Sequence, residues 1–309
     1  MANNNTIYDI VIIGGGPGGL AAGIYGARGM YQTVLIEKDS PGGQLLLTEE
    51  VENYPGFPAV VAGPELMKRM EDQAVNQGLI FKKEEVKEIK IQEGKNLIKT
   101  GKNEYLAKTV IIATGSMPRK LGCPGEDTYR GKGVSYCATC DGPFFRHKEL
   151  AVVGGGDSAV EEALYLTRFA SRVHLIHRRG ELRASKIAQK RVFDEPKMNF
   201  VWDTVVESIE GDHLFRCLNL KNVKTGAASR LDASGVFIYV GTIPVTDFVK
   251  SYDLFDEMGH IKTDIYMETK YKGVFAVGDV RTDSMRQVAT AVGDGVTAVL
   301  KAALRLHEF

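Results

Sequence analysis

The chain has 309 residues, enough at ~100–200 residues per domain for about two domains, each with a core of its own. Hydrophobic residues make up 44% and charged residues 25%, as in an ordinary globular chain rather than a disordered or fibrous one. Thirty-nine basic side chains balance 39 acidic ones, so net charge gives no reason to expect a nucleic-acid or anionic-membrane partner. No apolar stretch approaches the ~18–20 residues that span a bilayer, and residues 1–9 are polar, so a soluble cytoplasmic protein is expected. Glycine is the outlier: 34 residues, about 11% against a usual ~7% and without collagen period, imply many backbone positions at positive φ or close to a ligand.

In chain order, Tyr8–Ile13 is a short β-branched run of the kind buried in parallel sheets, and it leads directly into Gly14-Gly-Gly-Pro-Gly-Gly19. A helix is predicted over Leu20–Arg28 and a second strand over Thr33–Glu37, which completes a βαβ unit with an acid 23 positions after its first glycine. Between Phe81 and Tyr105, charged and apolar residues alternate as in an antiparallel meander, with Lys82–Glu85 read as a solvated face. Thr109–Gly115 is another apolar strand ending in glycine, and so is Gly273–Asp279; both could close on the first nucleotide.

The βαβ pattern recurs once. Leu150–Val153 leads into Gly154-Gly-Gly-Asp-Ser-Ala159, a helix is predicted over Glu161–Phe169, and a strand over Val173–His177 ends 23 residues after Gly154. Two units of matched internal length argue for two nucleotide ligands. The simplest arrangement is an α/β protein with two Rossmann-like dinucleotide-binding domains, one inserted into the other. The connections then fall near Pro118 and near Gly241–Pro244, which gives 1–117 with 246–309 as the outer domain and 118–245 as the inserted one.

The residue ending each second strand assigns the nucleotides. Glu37 can accept from both ribose hydroxyls of an unphosphorylated adenosine and would repel a 2′-phosphate, so the first unit suits FAD or NAD. The second unit carries His177-Arg178-Arg179, with Arg183 four residues on; guanidinium forks suit a phosphate, so NADP(H) is expected there. Of the four cysteines, only Cys137 and Cys140 have motif spacing. A lone C-x-x-C is either half a zinc site or a redox dithiol; no second ligand pair of zinc spacing is present, and a dithiol exchanges the two electrons that one hydride carries, so no metal is expected. Asp141, next in sequence, reads equally as a turn residue before glycine or as a proton donor beside a thiolate. Cys123 and Cys217 read as buried small apolar residues.

In this order the motifs Gly14–Gly19, Cys137-Ala-Thr-Cys-Asp-Gly142, Gly154–Ala159, His177-Arg-Arg179 with Arg183, and Gly278-Asp279 followed by Arg286-Gln287 resemble the small, bacterial-type thioredoxin reductases over essentially the whole chain. The resemblance implies FAD in the outer domain, NADPH in the inserted one, a homodimer, and thioredoxin as the disulphide substrate. For FAD it implies Gly14, Gly16, Pro17, Gly18, Gly19, Glu37, Gln44, Asn53, Thr114, Gly115, Gly278, Asp279, Arg286, Gln287 and Ala289. For NADPH it implies Gly154, Gly156, Asp157, Ser158, Glu161, His177, Arg178, Arg179 and Arg183. It makes Cys137, Cys140 and Asp141 the catalytic set, with Asp141 as proton donor, and it implies that the NADPH domain rotates between half-reactions. The competing activity is a flavin-dependent dithiol oxidase, or a reductase of another thioredoxin-like or glutaredoxin-like partner.

Overall fold

A computed structural model describes residues 6–48 and 51–309. The chain divides into two compact units, residues 1–117 with 243–309, and residues 118–242.

The first unit opens with β1 (Ile7–Ile13), fully buried over its last four residues, and the chain turns at Gly14 into α1 (Pro17–Arg28). Pro17 fits the first helical position, where a backbone N–H would have no partner in any case, so the helix starts three residues before the predicted Leu20. β2 (Thr33–Glu37) pairs parallel with β1. The next helix, α2 (Gly63–Asn76), buries Leu66, Met67, Met70 and Ala74 along one stripe.

β3 (Ile80–Lys83) then adds to β2 in parallel; β4 (Val86–Lys90), β5 (Asn96–Thr100) and β6 (Glu104–Ile112) follow antiparallel, and β6 returns beside β1. The meander therefore begins at Val86. Ile80–Lys83 is a parallel edge strand, because its pairing partner is the βαβ unit before it rather than the hairpin after it. Within the charged run, Glu84 departs from a solvated face: its carboxylate accepts from Thr100, Asn103 and Tyr105. Burial opposes its ionisation, but those hydrogen bonds outweigh burial and hold it below the usual carboxylate range.

β7 (Ser116–Pro118) leads into the second unit, whose parallel sheet contains β8 (Val134–Ser135), β9 (Glu149–Gly154), β10 (Arg172–Ile176), β11 (Met198–Val201) and β15 (Gly235–Tyr239), in the order β11-β10-β9-β15-β8. A single turn, α3 (Ala138–Asp141), contains Cys140 and is capped by Cys137; α4 (Asp157–Leu166) follows the glycine turn and α5 (Lys186–Asp194) follows β10. α4 begins four residues before the predicted Glu161, with Gly156 as N-cap and Asp157 in the first turn, where an acid complements the helix dipole. β12 (Thr204–Gly211), β13 (Phe215–Asn222) and β14 (Ala228–Asp232) form a separate antiparallel sheet.

β16 (Thr242–Pro244) pairs with β7, so the two chain crossings run side by side. The chain then returns to the first sheet through β17 (Val274–Ala276), parallel to β6, and ends in α6 (Val288–Leu306). That sheet runs β3-β2-β1-β6-β5-β4 with β17 on β6. Each unit closes its own cores: one pair is built from residues such as Ile12, Leu35, Ile111 and Phe275, the other from Val152, Leu175, Phe237 and Leu218.

Candidate functional site

In the first unit the glycines are required by contact. A Cβ on Gly14, which sits at φ +105°, would lie 2.5 Å from the Ala113 carbonyl oxygen, and one on Gly19 would lie 1.9 Å from the Gly14 carbonyl oxygen. At Gly16 nothing lies within 4 Å, so the N-terminus of α1, with its unpaired N–H groups, opens on free space as a pyrophosphate cradle does. Glu37 at the end of β2 accepts the Gly15 N–H through Oε2 at 2.7 Å and the Asp39 N–H through Oε1 at 3.0 Å. Each carboxylate oxygen keeps a further lone pair for a ribose hydroxyl. The Gly42 N–H donates to the Gly15 carbonyl at 2.7 Å, which lays the segment carrying Gln44 against this loop; the Gln44 amide donates to Met117 Sδ at 3.0 Å.

Two flavin candidates far apart in sequence meet: Asn53 Nδ2 donates to Gln287 Oε1 at 3.1 Å. Thr114 Oγ1 donates to the Val245 carbonyl at 2.7 Å, and Gly115 stands at φ +68° with nothing within 4 Å of a Cβ. Asp279 follows β17 and accepts from Ser284 at 3.1 Å; burial raises its pKa, against the Ser284 hydrogen bond and the Arg286 charge. Gly278 is held in place by Asp294 of α6, which accepts its N–H at 3.0 Å and grips Arg281 through both carboxylate oxygens. Arg286, at φ +54°, is exposed, as is Ala289 in the first turn of α6.

In the second unit the corresponding turn is built on His177. A Cβ on Gly155 would lie 2.3 Å from the imidazole Cε1, so the buried ring packs directly beneath the loop, and its Nε2 has no hydrogen-bond partner. The segment after β10 folds back on the glycine turn: Arg183 donates its N–H to the Gly155 carbonyl at 2.7 Å, and the Ser185 N–H donates to Asp157 Oδ1 at 2.8 Å. That bond holds the Asp157 carboxyl below its usual range. Gly156, Asp157, Ser158 and Glu161 line the opening of the turn and the exposed face of α4. Arg178 and Arg179 line an open cleft with Asp203 and Lys224. A glycine cradle, an orphaned buried imidazole nitrogen and exposed guanidiniums together fit a phosphorylated dinucleotide.

Cys137 and Cys140 form a disulphide across α3, with Cα atoms 5.3 Å apart. Cys137 caps the turn, its sulphur accepting the Cys140 N–H at 3.2 Å, a donor that would favour a thiolate on Cys137 once the bond is reduced. Asp141 accepts a short hydrogen bond from Ser135, whose oxygen also accepts the Cys137 N–H at 3.1 Å. The phenol oxygen of Tyr239 accepts the Ala138 N–H at 2.5 Å. Neither Ser135 nor Tyr239 is marked by any motif: Tyr239 lies 101 residues from its partner, and the pairing of β15 with β8, the strand just before α3, brings it there. The free cysteines differ in setting. Cys217 is buried, Cys123 is half-buried, and burial raises both thiols, that of Cys123 to about 11. No group of three or more metal-binding side chains occurs among the described residues.

Two glycine-turn cradles of opposite charge preference and one C-x-x-C disulphide define a nucleotide-linked disulphide oxidoreductase. The family model described as pyridine nucleotide-disulphide oxidoreductase matches residues 8–295. The chain is 46% identical over 302 residues to the thioredoxin reductase of Peptoclostridium acidaminophilum, covering 96% of each, and 47% identical over 293 residues to that of Bacillus subtilis, covering 94% of this chain and 92% of the relative. A crystal structure of thioredoxin reductase from Streptococcus pyogenes aligns with a TM-score of 0.93 at 46% identity, covering 99% of this chain and 100% of that one. The chain therefore belongs to the pyridine nucleotide-disulphide oxidoreductases and, within them, to the thioredoxin reductase family, whose cofactors are FAD and NADPH.

Proposed function

We propose that this chain passes electrons in pairs from NADPH through FAD to the Cys137–Cys140 disulphide, and from the resulting dithiol to the disulphide of thioredoxin. The observation that carries the reading is the disulphide itself, held on the same unit as a glycine turn flanked by three exposed arginines. In this reading residues 1–117 with 243–309 hold FAD and residues 118–242 hold NADPH. Gly14–Gly19 and the α1 N-terminus take the FAD pyrophosphate, and Glu37 its adenosine ribose. Asn53 and Gln287 hold each other, and the half-buried Asp279 lines the site beyond β17. When bound, FAD accepts a hydride equivalent from nicotinamide and returns two electrons to a disulphide.

The protein's own groups do the rest. Cys137, as thiolate, attacks one sulphur of the substrate disulphide and releases the other as a thiolate; Cys140 then attacks the Cys137 sulphur, releases the second substrate thiolate and re-forms the Cys137–Cys140 bond. The two substrate thiolates take up two protons. Asp141, oriented by Ser135, is the group placed to hold a proton beside Cys140. Both the nucleotide turn and the dithiol belong to one unit, so serving one flavin requires that unit to turn at the paired crossings Ser116–Pro118 and Thr242–Pro244. A cytoplasmic homodimer is part of the same reading; among the described residues no helix is long and apolar enough to cross a membrane.

Anaerobic NADPH titration of the flavin absorbance, followed by oxidised thioredoxin, tests this. The expected result is bleaching by NADPH and full recovery of colour on adding thioredoxin. Bleaching without recovery would overturn thioredoxin as the substrate and favour another dithiol partner.

A further inference from the structure

We propose that Lys224, which lies outside both glycine turns and outside the arginine set, is an additional cation for the 2′-phosphate of NADPH, held in readiness by Asp203. The inference rests on the reading of residues 118–242 as the NADPH unit.

Lys224 sits at the tip of the hairpin joining β13 to β14. The tip is rigidly made: Asn222 Oδ1 accepts the N–H groups of Lys224 and Thr225, each at 3.0 Å, and Gly226 closes the turn at φ +73°. Asp203 ties this tip to the arginines. Its carbonyl accepts the Val223 N–H at 2.6 Å and its own N–H donates to the Arg179 carbonyl at 3.3 Å, with its backbone in the left-handed region at φ +51°. The hairpin tip and the Arg178–Arg179 turn therefore face one cleft.

Within that cleft Lys224 Nζ lies 2.9 Å from Asp203 Oδ2, and a Cβ added to Gly180 would stand 3.5 Å from Asp203 Oδ1 and 3.6 Å from the ammonium. Asp203 is mostly shielded, its side chain 18% exposed, whereas that of Lys224 is 69% exposed. With its ammonium this open to solvent, the pair is screened on the lysine side, and Lys224 can change partner while Asp203 keeps its place. A phosphate monoester near pH 7 carries about −1.5 to −2 charges and three acceptor oxygens, against one charge on a carboxylate. It can therefore draw the flexible ammonium from Asp203 without the backbone moving, and 2′-phosphate recognition then extends from the arginine turn to a second, sequence-distant element.

The test is calorimetric titration of the FAD-loaded protein with 2′,5′-ADP and, separately, with ADP, which lacks the 2′-phosphate. Lys224→Met should weaken 2′,5′-ADP about three- to tenfold, the scale of one solvent-screened charge contact, and leave ADP unchanged within a factor of two. Lys224→Arg should restore 2′,5′-ADP binding to within about twofold of the parent, because the charge returns. Asp203→Asn should tighten 2′,5′-ADP about two- to threefold, because it releases the lysine and removes a repelling charge. A Lys224→Met protein that binds 2′,5′-ADP as the parent does, or that loses both ligands equally, would overturn the role of Lys224 while leaving the NADPH reading in place. A parent protein with no preference for 2′,5′-ADP over ADP would overturn both.

Discussion

Asp141 separates two readings that its sequence position alone leaves equal. Before a glycine, Asn serves a turn as well as Asp does, so Asp141→Asn should keep the shape of α3 while removing the transferable proton. Thioredoxin turnover should then fall about 10²–10⁴-fold, the usual scale of general acid–base catalysis, while rapid-mixing reduction of the flavin by NADPH survives; turnover within a factor of two of the parent would leave Asp141 a turn residue. The dithiol roles are separable in the same way. Cys137→Ser should leave Cys140 as a free thiol beside oxidised flavin and show a long-wavelength charge-transfer band; a band in Cys140→Ser instead would exchange the two roles. His177 gives a pH signature. Burial first, then the charges of Arg183, Arg179 and Arg178, push its pKa below the ordinary value. A neutral imidazole is therefore what the fold accommodates: its contribution is complete above the unfolded value of about 6.5 and is lost as pH falls through the depressed value. His177→Gln should flatten the acid-side fall in Tm between about pH 7 and 5, and identical slopes in parent and variant would show that His177 does not titrate on folding.

Elements that depend on local pattern were legible in the sequence; those set by distant partners were not. The strands entering Gly14 and Gly154 announce themselves by β-branched runs that end in glycine, and the structure gives the reason: at both turns a Cβ would overlap backbone atoms. The edge strand Ile80–Lys83, the anchored carboxylate of Glu84 and the Tyr239–Ala138 hydrogen bond carry no such mark, because their partners come from other elements of the fold. The contact between Asp294 and the segment Gly278–Arg281 is of this second kind. Arg281 and Asp294 are only 16% and 10% exposed, with Nε at 2.7 Å and Nη2 at 3.0 Å from the two carboxylate oxygens. Asp294→Ala would leave a buried guanidinium without its counter-charge and free the Gly278 N–H. It should cost about 3–5 kcal/mol in urea unfolding, the usual result of breaking a buried pair from one side. FAD should also dissociate more readily, because Asp279 sits on the released segment. A loss below about 1 kcal/mol would mean that water replaces the carboxylate and that α6 does not hold this part of the site.

At the scale of the whole molecule, what matters is which residues each core draws upon. Among the described residues, the two cores of 118–242 draw on that segment alone: Leu150, Val152, Leu175 and Phe237 pack with α4 and α5 on one side of the parallel sheet, while Val153, Ile176 and Val236 pack with Ile209, Phe215 and Leu218 on the other. The segment is continuous, and its length of about 125 residues lies in the range of domains that fold alone. Its chain ends meet at paired strands, so cutting there costs little loop-closure entropy. Residues 118–242 expressed alone should therefore unfold in one cooperative transition and bind 2′,5′-ADP within about threefold of the full chain, because each arginine, the His177 ring and the glycine turn come from this segment. The remainder is different. Its segments 1–117 and 243–309 share one sheet through β17 on β6 and one helix packing in which a Cβ on Gly295 of α6 would lie 2.2 Å from the Gly18 carbonyl oxygen. Neither segment should fold without the other, whereas the two joined by a short Gly/Ser linker in place of 118–242 should fold and bind FAD. Loss of cooperative unfolding in the excised 118–242 segment, with the linked remainder intact, would show that residues 118–242 depend on the rest of the chain for their fold.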